Sequence, residues 1–221
     1  MEKILYRKLD LPGTIKSYRK VLWMYDLWGY LTESRALKKI LEIADVRDNL
    51  NILEIACGTG HLLGKIIAKN PHGENIGSDL SPDMLKKAYR HLQKSGLKNF
   101  RLIEGNVLDL EFEDSSFDYL FNNFMIDLMP EDTFEKVADE FFRFLKPGGI
   151  LIVSTFSFGT KNIHKFWYRV AKNFPGLLTG CRPVSFAGHL KISGFEILNL
   201  YQISQNTFPT EIIKAQKPDI S

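Results

Sequence analysis

The chain has 221 residues, 44% hydrophobic and 25% charged, which is enough for one α/β domain with a sizeable core and unlike a disordered or fibrous chain. A net charge of +3 with scattered lysines argues against a nucleic-acid partner, which needs a concentrated basic patch. Two cysteines, Cys57 and Cys181, form neither a disulfide framework nor a metal-ligand spacing, so no metal is expected and a reducing, cytoplasmic compartment fits.

The first ten residues lack a sustained apolar signal core. The longest apolar stretch, around Ile150 to Val153, falls far short of the ~20 residues that span a bilayer, so nothing here is expected to cross a membrane; peripheral contact stays open. Two helices are expected first, Tyr18 to Tyr30 and a second capped by Thr32, with Leu37, Ile40, Leu41 and Ile43 as its apolar stripe. Strand one is expected over Asn51–Cys57, a helix from Gly60 to Lys69, and strand two over Asn75–Asp79. Ser81 then reads as an N-cap with Pro82 at the first helical position and Asp83 in the first turn; Met84, Leu85, Ala88 and Leu92 form the buried face, and Gly96 closes the helix. Strand three follows at Phe100–Glu104 and strand four at Asp118–Asn122.

Pro130 is expected to start a helix carrying Phe134, Val137, Phe141, Phe142 and Leu145, stopped by Lys146-Pro147-Gly148-Gly149, which turns the chain into strand five, Ile150–Thr155. Residues 156–180 break the rhythm with Phe156, Phe158, Phe166, Trp167, Tyr168 and Phe174. A short helix near Val184–Ile192 leads to two close strands, Phe195–Ile203 and Thr207–Ala215, expected to form a hairpin and place one antiparallel strand in the sheet. The alternation of strand and helix predicts an α/β fold with a mostly parallel sheet and helices on both faces.

The run Leu53-Glu54-Ile55-Ala56-Cys57-Gly58-Thr59-Gly60 ends an apolar strand in a glycine turn, and Asp79 ends the next apolar strand. That layout suits a nucleotide: backbone that lets a ligand come close, and a carboxylate that accepts from ribose hydroxyls. A dinucleotide fingerprint needs a third glycine at position 63, which is Leu63; Gly64 is one residue late, and this weighs against an oxidoreductase.

These residues resemble the first motif of class I S-adenosylmethionine-dependent methyltransferases, Glu/Asp-x-Gly-x-Gly-x-Gly, with Ala56 in place of the first glycine. Asp79 matches that family's ribose acid, and Gly105-Asn106-Val107 its adenine segment, with Asn106 where Asp is more usual. Leu110-Glu111-Phe112, Ser116-Phe117-Asp118 and Leu145-Lys146-Pro147-Gly148-Gly149 also resemble family signatures. Tyr25-Asp26 is similar to the Tyr-Asp that opens many members near the quinone and phospholipid methyltransferases. The resemblance implies a single domain over 1–221, with a three-layer Rossmann-like sheet of about seven strands. Residues 1–47 are expected as a helical cover and 156–182 as a lid on the acceptor side. It further implies S-adenosyl-L-methionine as cofactor, held by Tyr25, Glu54, Ala56, Gly58, Gly60, Asp79, Leu80, Met84, Asn106, Val107, Asn122 and Asn123. Met84 reads equally as core or as adenine contact. Glu54, inside an apolar strand, is expected to bond backbone or a cofactor group, because an unpaired buried carboxylate is costly.

Methyl transfer from a sulfonium is an in-line displacement with a neutral leaving group, so alignment and a dry pocket carry most of the catalysis. Asp127, His164, Tyr168 and His189 are the candidate bases, Asp127 foremost because it follows strand four at the carboxyl edge. Asn122-Asn123-Phe124-Met125 stands where amino-methylating DNA enzymes carry Asn/Asp-Pro-Pro-aromatic, and neither cysteine follows a proline. A nucleic-acid acceptor is therefore not expected, and a small molecule is. The aromatic stretch, with Trp23 and Trp28, either encloses a flat, apolar acceptor or forms helix core. The layout of Arg182-Pro183-Val184 and the closing hairpin is similar to lipid and quinone methyltransferases. The alternative to a methyltransferase is a non-catalytic module that binds the same cofactor.

Overall fold

The computed structural model describes Leu5 and residues 34–161, 163–174, 178 and 180–219. The expected helix Tyr18–Tyr30, the Thr32 cap, and Trp23, Tyr25 and Trp28 lie outside the described residues. A helix occupies 34–44 (α1). It is followed by β1 (Asn51–Ile55), α2 (His61–Ile67), β2 (Glu74–Asp79), α3 (Pro82–Lys94), β3 (Arg101–Glu104), β4 (Phe117–Asn123), α4 (Phe134–Phe144), β5 (Leu145–Phe156), α5 (His164–Asn173), α6 (Ala187–Ile192), β6 (Glu196–Gln205) and β7 (Phe208–Gln216).

The strands form one seven-stranded sheet in the order β3-β2-β1-β4-β5-β7-β6. The first five pair in parallel, and β7 runs antiparallel to both β5 and β6. This is the Rossmann-like α/β architecture expected. From β1 the chain builds outward to β2 and β3, then returns to lay β4 and β5 on the other side. The carboxyl ends of β1 and β4 therefore flank a topological switch point, where open α/β sheets form their ligand crevice.

Strand side chains alternate between two cores, as a sheet covered on both faces requires. Leu53, Leu120, Leu151, Val153 and Ile213 meet Phe134, Val137 and Phe141 of α4 and Leu190 of α6. Ile52, Phe121, Ile152 and Ile212 face the other way, onto Ala36 and Ile40 of α1, Leu62 and Ile66 of α2, and Ala171 of α5. A smaller cluster joins Leu63 and Ile67 of α2 to Leu92 of α3 and Cys57.

The start of α3 follows its sequence signal. Ser81 accepts the Met84 N–H at 3.4 Å, and Pro82 is the first helical residue. The β6–β7 hairpin turns on Asn206 and Thr207, both at positive φ (48° and 68°), the primed geometry that matches strand twist.

Other boundaries move. Strand one ends at Ile55 rather than Cys57, because Ala56 and Gly58 adopt φ of 59° and 55° and leave the ladder. Pro130 opens a short 3₁₀ turn, Glu131–Thr133, before α4 begins at Phe134. Lys146-Pro147-Gly148-Gly149 stops the helix but lies within β5. Phe117 pairs with Leu145 and Tyr119 with Ile150, so the run bulges out of register. The helix expected from Val184 starts at Ala187.

Gly77 sits mid-strand in β2, where a side chain would be costly. A Cβ there would lie 2.6 Å from Leu63 Cδ2 and 3.0 Å from both Cys57 Sγ and Leu102 Cδ2. Gly77→Ala is expected to cost about 1–3 kcal/mol through overpacking, read as a lower urea midpoint at unchanged m-value.

Candidate functional site

The carboxyl ends of β1, β2 and β4 converge on the loop Ala56–Gly60. Cys57 N–H donates to the Ser78 carbonyl at 2.9 Å, and Gly60 N–H to the Cys57 carbonyl at 2.9 Å, folding the loop back on β2. Asp79 completes the clasp: Oδ2 accepts the Gly58 N–H at 2.8 Å and Oδ1 the Ser81 N–H at 2.9 Å. The Gly105 N–H bonds the Asp79 carbonyl at 3.1 Å, which brings Gly105, Asn106 and Val107 to the same edge. Asp79 is half-buried. Burial pushes its carboxyl above the usual carboxylate range, while the N–H groups of Ser81, Gly58 and Leu80 pull it down.

The glycines divide the work. A Cβ on Gly58 would meet nothing within 4 Å, so open space lies over the turn. Gly60 and Gly64 face α3 instead: a Cβ would stand 3.2 Å from Ala88 Cβ and 3.1 Å from Leu92 Cδ2 respectively. Gly60, expected from sequence to touch the cofactor, also lets α2 close on α3. Gly64 meets a helix and not a strand, so it does not take the part of a dinucleotide fold's third glycine.

Glu54 is 2% exposed. Its Oε1 accepts from Asn123 Nδ2 at 3.4 Å, and Oε2 is buried without a hydrogen-bond partner among the described residues. Burial pushes this carboxyl up to about 8; Asn123 and the Leu63 N–H oppose the shift and the Asp79 charge adds to it. Asn123 Oδ1 in turn accepts from Ser154 Oγ at 2.8 Å, so Glu54, Asn123 and Ser154 link the ends of β1, β4 and β5. Asn122 is fully buried: its amide donates to the Ile55 carbonyl at 3.0 Å, and its Oδ1 lacks a partner. Asn122 thus ties β4 to β1 rather than facing open space.

On the adenine side expected from sequence, Leu80 is half-buried, Met84 is only 4% exposed on the packed face of α3, and Val107 is buried. Asn106 caps a 3₁₀ turn, accepting the Leu108 N–H at 3.4 Å.

The candidate bases do not join this group. Asp127 lies in a 3₁₀ turn after β4 and is fully buried; its carbonyl and that of Met129 receive the Arg182 guanidinium at 2.9 and 2.6 Å. His164 Nδ1 accepts the Lys161 N–H at 3.2 Å, which leaves the proton of a neutral ring on Nε2. Burial and Lys161 hold that imidazole below its ordinary value. His164 therefore fastens the entry of α5 instead of offering a free basic nitrogen. Tyr168 is half-buried beside Phe158, and His189 lies between Phe134 and Phe186 on α6. Tyr25 lies outside the described residues.

The aromatic stretch splits as well. Phe156 stacks on Phe208 at 4.6 Å and Trp167 meets the same ring at 5.3 Å, both on the core side, whereas Phe166 and Phe174 are exposed. Sequence reasoning missed three contributors. Ser154 could have been found as a hydroxyl in an apolar strand at the ligand edge. Arg182 carried a signal only as a cation followed by proline. Phe124, buried at φ 51°, carried none.

A family model described as a methyltransferase domain matches residues 46–185. The chain is 32% identical over 163 residues to a demethylmenaquinone methyltransferase of Geobacillus kaustophilus, covering 69% of this chain and 68% of that protein. It spans about half to two thirds of the length of the curated relatives it matches. Among solved structures it is similar to an S-adenosylmethionine-dependent methyltransferase of Methanosarcina mazei (TM-score 0.68, 22% identity, 81% of this chain and 97% of that one). It is also similar to an N-methyltransferase of Bradyrhizobium japonicum in complex with S-adenosylhomocysteine (TM-score 0.68, 14% identity, 85% and 88%).

Two stability measurements follow from this geometry. Between the ordinary Glu value of 4.5 and about 8, the folded chain keeps a proton on Glu54 that the unfolded chain releases, so stability falls as pH rises. The slope is about 1.4 kcal/mol per pH unit at its steepest. Glu54→Gln is expected to match the parent near pH 5 and to exceed it in thermal midpoint by a margin that grows to pH 8. Ala56 at φ 59° carries the left-handed cost of about 1–2 kcal/mol, part of which returns as glycine's unfolded-state entropy. Ala56→Gly is expected to stabilise by up to about 1 kcal/mol in denaturant unfolding, where an exposed Ala→Gly change normally destabilises.

Proposed function

We propose that this chain, which belongs to the methyltransferase domain family, binds S-adenosylmethionine along the carboxyl ends of β1, β2 and β3 and passes its methyl group to a small apolar acceptor of the quinone kind. The observation that carries the reading is the Asp79–Gly58 clasp, with open space over Gly58.

The residues present suit that cofactor. Beside the backbone N–H groups it accepts, the Asp79 carboxylate keeps lone-pair capacity for a ribose hydroxyl. Leu80 offers apolar surface beside it and Asn106 offers an amide, with Val107 and Met84 packed behind them. Glu54 Oε2, buried and unpartnered, suits a cationic group, which draws a carboxyl of raised pKa back toward ionisation. When bound, S-adenosylmethionine supplies a methyl group already activated on a sulfonium.

The chain's own task is then alignment and exclusion of water. Positioning of this kind contributes on the order of 7–11 kcal/mol. It fits a site in which Asp127 is buried and the basic nitrogen of His164 is spent on Lys161. Tyr168, half-buried on α5, and His189 on α6 are the remaining described candidates for a proton acceptor. The similarity to demethylmenaquinone methyltransferases supports a quinone-like acceptor. In the same reading residues 1–47 cover the cleft, 156–182 line the acceptor side, and the protein works in the cytoplasm. No helix among the described residues is long and apolar enough to cross a membrane.

Calorimetry tests the cofactor. S-adenosylmethionine and S-adenosylhomocysteine are expected to bind and NAD is not. Asp79→Ala is expected to lower the affinity on the order of 100-fold, the loss of two charge-assisted hydrogen bonds, with the far-ultraviolet spectrum retained. Unchanged affinity overturns the ribose assignment. Transfer of isotopic methyl label to a demethylated naphthoquinol is the expected outcome for the acceptor; cofactor binding without any transfer would favour a non-catalytic module.

A further inference from the structure

Helix α5 leaves the sheet edge with two faces. His164 and Ala171 are buried, and Trp167 packs on Phe208 and donates from Nε1 to Thr207 Oγ1 at 3.0 Å, so one side is fastened to β7 and the hairpin turn. Away from that side the helix exposes Phe166, with Ile163 and Phe174 exposed at its two ends, while Val170 is partly buried against the inner core. Ile163, Phe166 and Phe174 are 49%, 53% and 61% exposed. Large apolar side chains exposed together mark an interaction surface.

Beside them run Lys165, Arg169 and Lys172, with Lys161 just ahead of the helix; all four are exposed, and none has an acidic partner among the described residues. The sequence holds no Asp or Glu anywhere between Glu140 and Glu196. The acid on the strand that α5 packs against, Glu211, is half-buried and accepts from Gln202 Nε2 at 2.7 Å. Among the described residues the charge of this face is therefore uncompensated. Exposed apolar side chains flanked by cations on one helix are the pattern that lies in the headgroup layer of an anionic bilayer, rings inserted and ammonium and guanidinium groups on phosphate.

We infer that the outer face of α5, Phe166 with Ile163 and Phe174 at the helix ends and Lys165, Arg169 and Lys172 beside them, docks this protein onto an anionic lipid surface. The helix follows the carboxyl end of β5, so docking turns the ligand edge of the sheet toward the bilayer. That this edge is also the entrance for a lipid-like acceptor rests on the function proposed above. The docking itself rests only on charge and exposure.

Sedimentation with phosphatidylcholine vesicles, with and without phosphatidylglycerol, tests it in the absence of any methyl donor, so its failure and that of the methyltransferase reading are separate results. Binding is expected only with phosphatidylglycerol and is expected to weaken with salt. Each cation removed is expected to lower the partition coefficient about fivefold, so Lys165→Gln with Arg169→Gln lowers it roughly 25-fold. Phe166→Ser, at an exposed position, is expected to weaken binding while leaving S-adenosylmethionine affinity unchanged. No binding to the anionic vesicles, or binding that ignores these substitutions, overturns the inference. Hydrogen exchange adds a second criterion. Slowing over 163–174 only when anionic vesicles are present supports docking; full protection there without vesicles means that another part of this chain covers this face, and overturns it.

Discussion

The Gly58 N–H donates to Asp79 Oδ2 at 2.8 Å, and the other oxygen of the same carboxylate takes the N–H that opens the turn into α3. Two pieces of the molecule depend on this bridge. It holds the glycine loop open, because Ala56, Gly58 and Gly60 all sit at positive φ and gain no ladder bonds of their own. It fixes where α3 begins, three residues beyond the end of β2. Independently of the bridge, the main-chain carbonyl of the same residue accepts the Gly105 N–H where the chain leaves β3.

This edge stores unfavourable free energy. Ala56 and Phe124 occupy left-handed backbone that non-glycine residues avoid, and Glu54 sits dry with one oxygen unpartnered. These three lie at the ends of β1 and β4, on either side of the switch point. They persist because both neighbouring layers are fixed elsewhere: Phe134, Phe141 and Phe144 pack one face and Ile40, Ile66 and Phe156 the other, all fully buried. Strain gathered at the ligand edge of an otherwise well-packed sheet is the usual mark of a site shaped for a partner.

Much of this was legible in the chain because local chemistry and global fold agree. Ser81-Pro82-Asp83 specifies a helix start with no help from packing, and two close apolar runs at the carboxyl end specify a hairpin. Glycine spacing alone separated this turn from a dinucleotide fingerprint, and the structure gives the physical counterpart: Gly64 accommodates Leu92 of α3. What stayed hidden depends on contacts between distant positions. Lys146 to Gly149 reads as a stop signal, yet β4 captures its flanks and converts a turn into a bulge. Nothing local to His164 says that the Lys161 N–H will take its Nδ1, and nothing local to Asp127 says that it will be fully buried. Residue type at the right edge of a sheet nominates a base; only packing decides whether a basic atom remains available.

That distinction bears on the chemistry. Asp127 is fully buried and His164 Nδ1 is taken by the Lys161 N–H, while Tyr168 is half-buried on α5 and His189 packs between Phe134 and Phe186. A displacement that expels a neutral thioether from an activated methyl group tolerates this, because its barrier is lowered by alignment more than by proton removal. Acyl or phosphoryl transfer would tolerate it far less, since each develops charge that needs a base or an oxyanion donor set in place. The division of the aromatic stretch points the same way. Phe156 and Trp167 are consumed in stacking on Phe208, which fixes the inner side of α5. Phe166 and Phe174 remain outside with the cations around them, so the outer side of the same helix is available for contact. The two sides of this short helix are therefore set by which aromatic rings Phe208 captures.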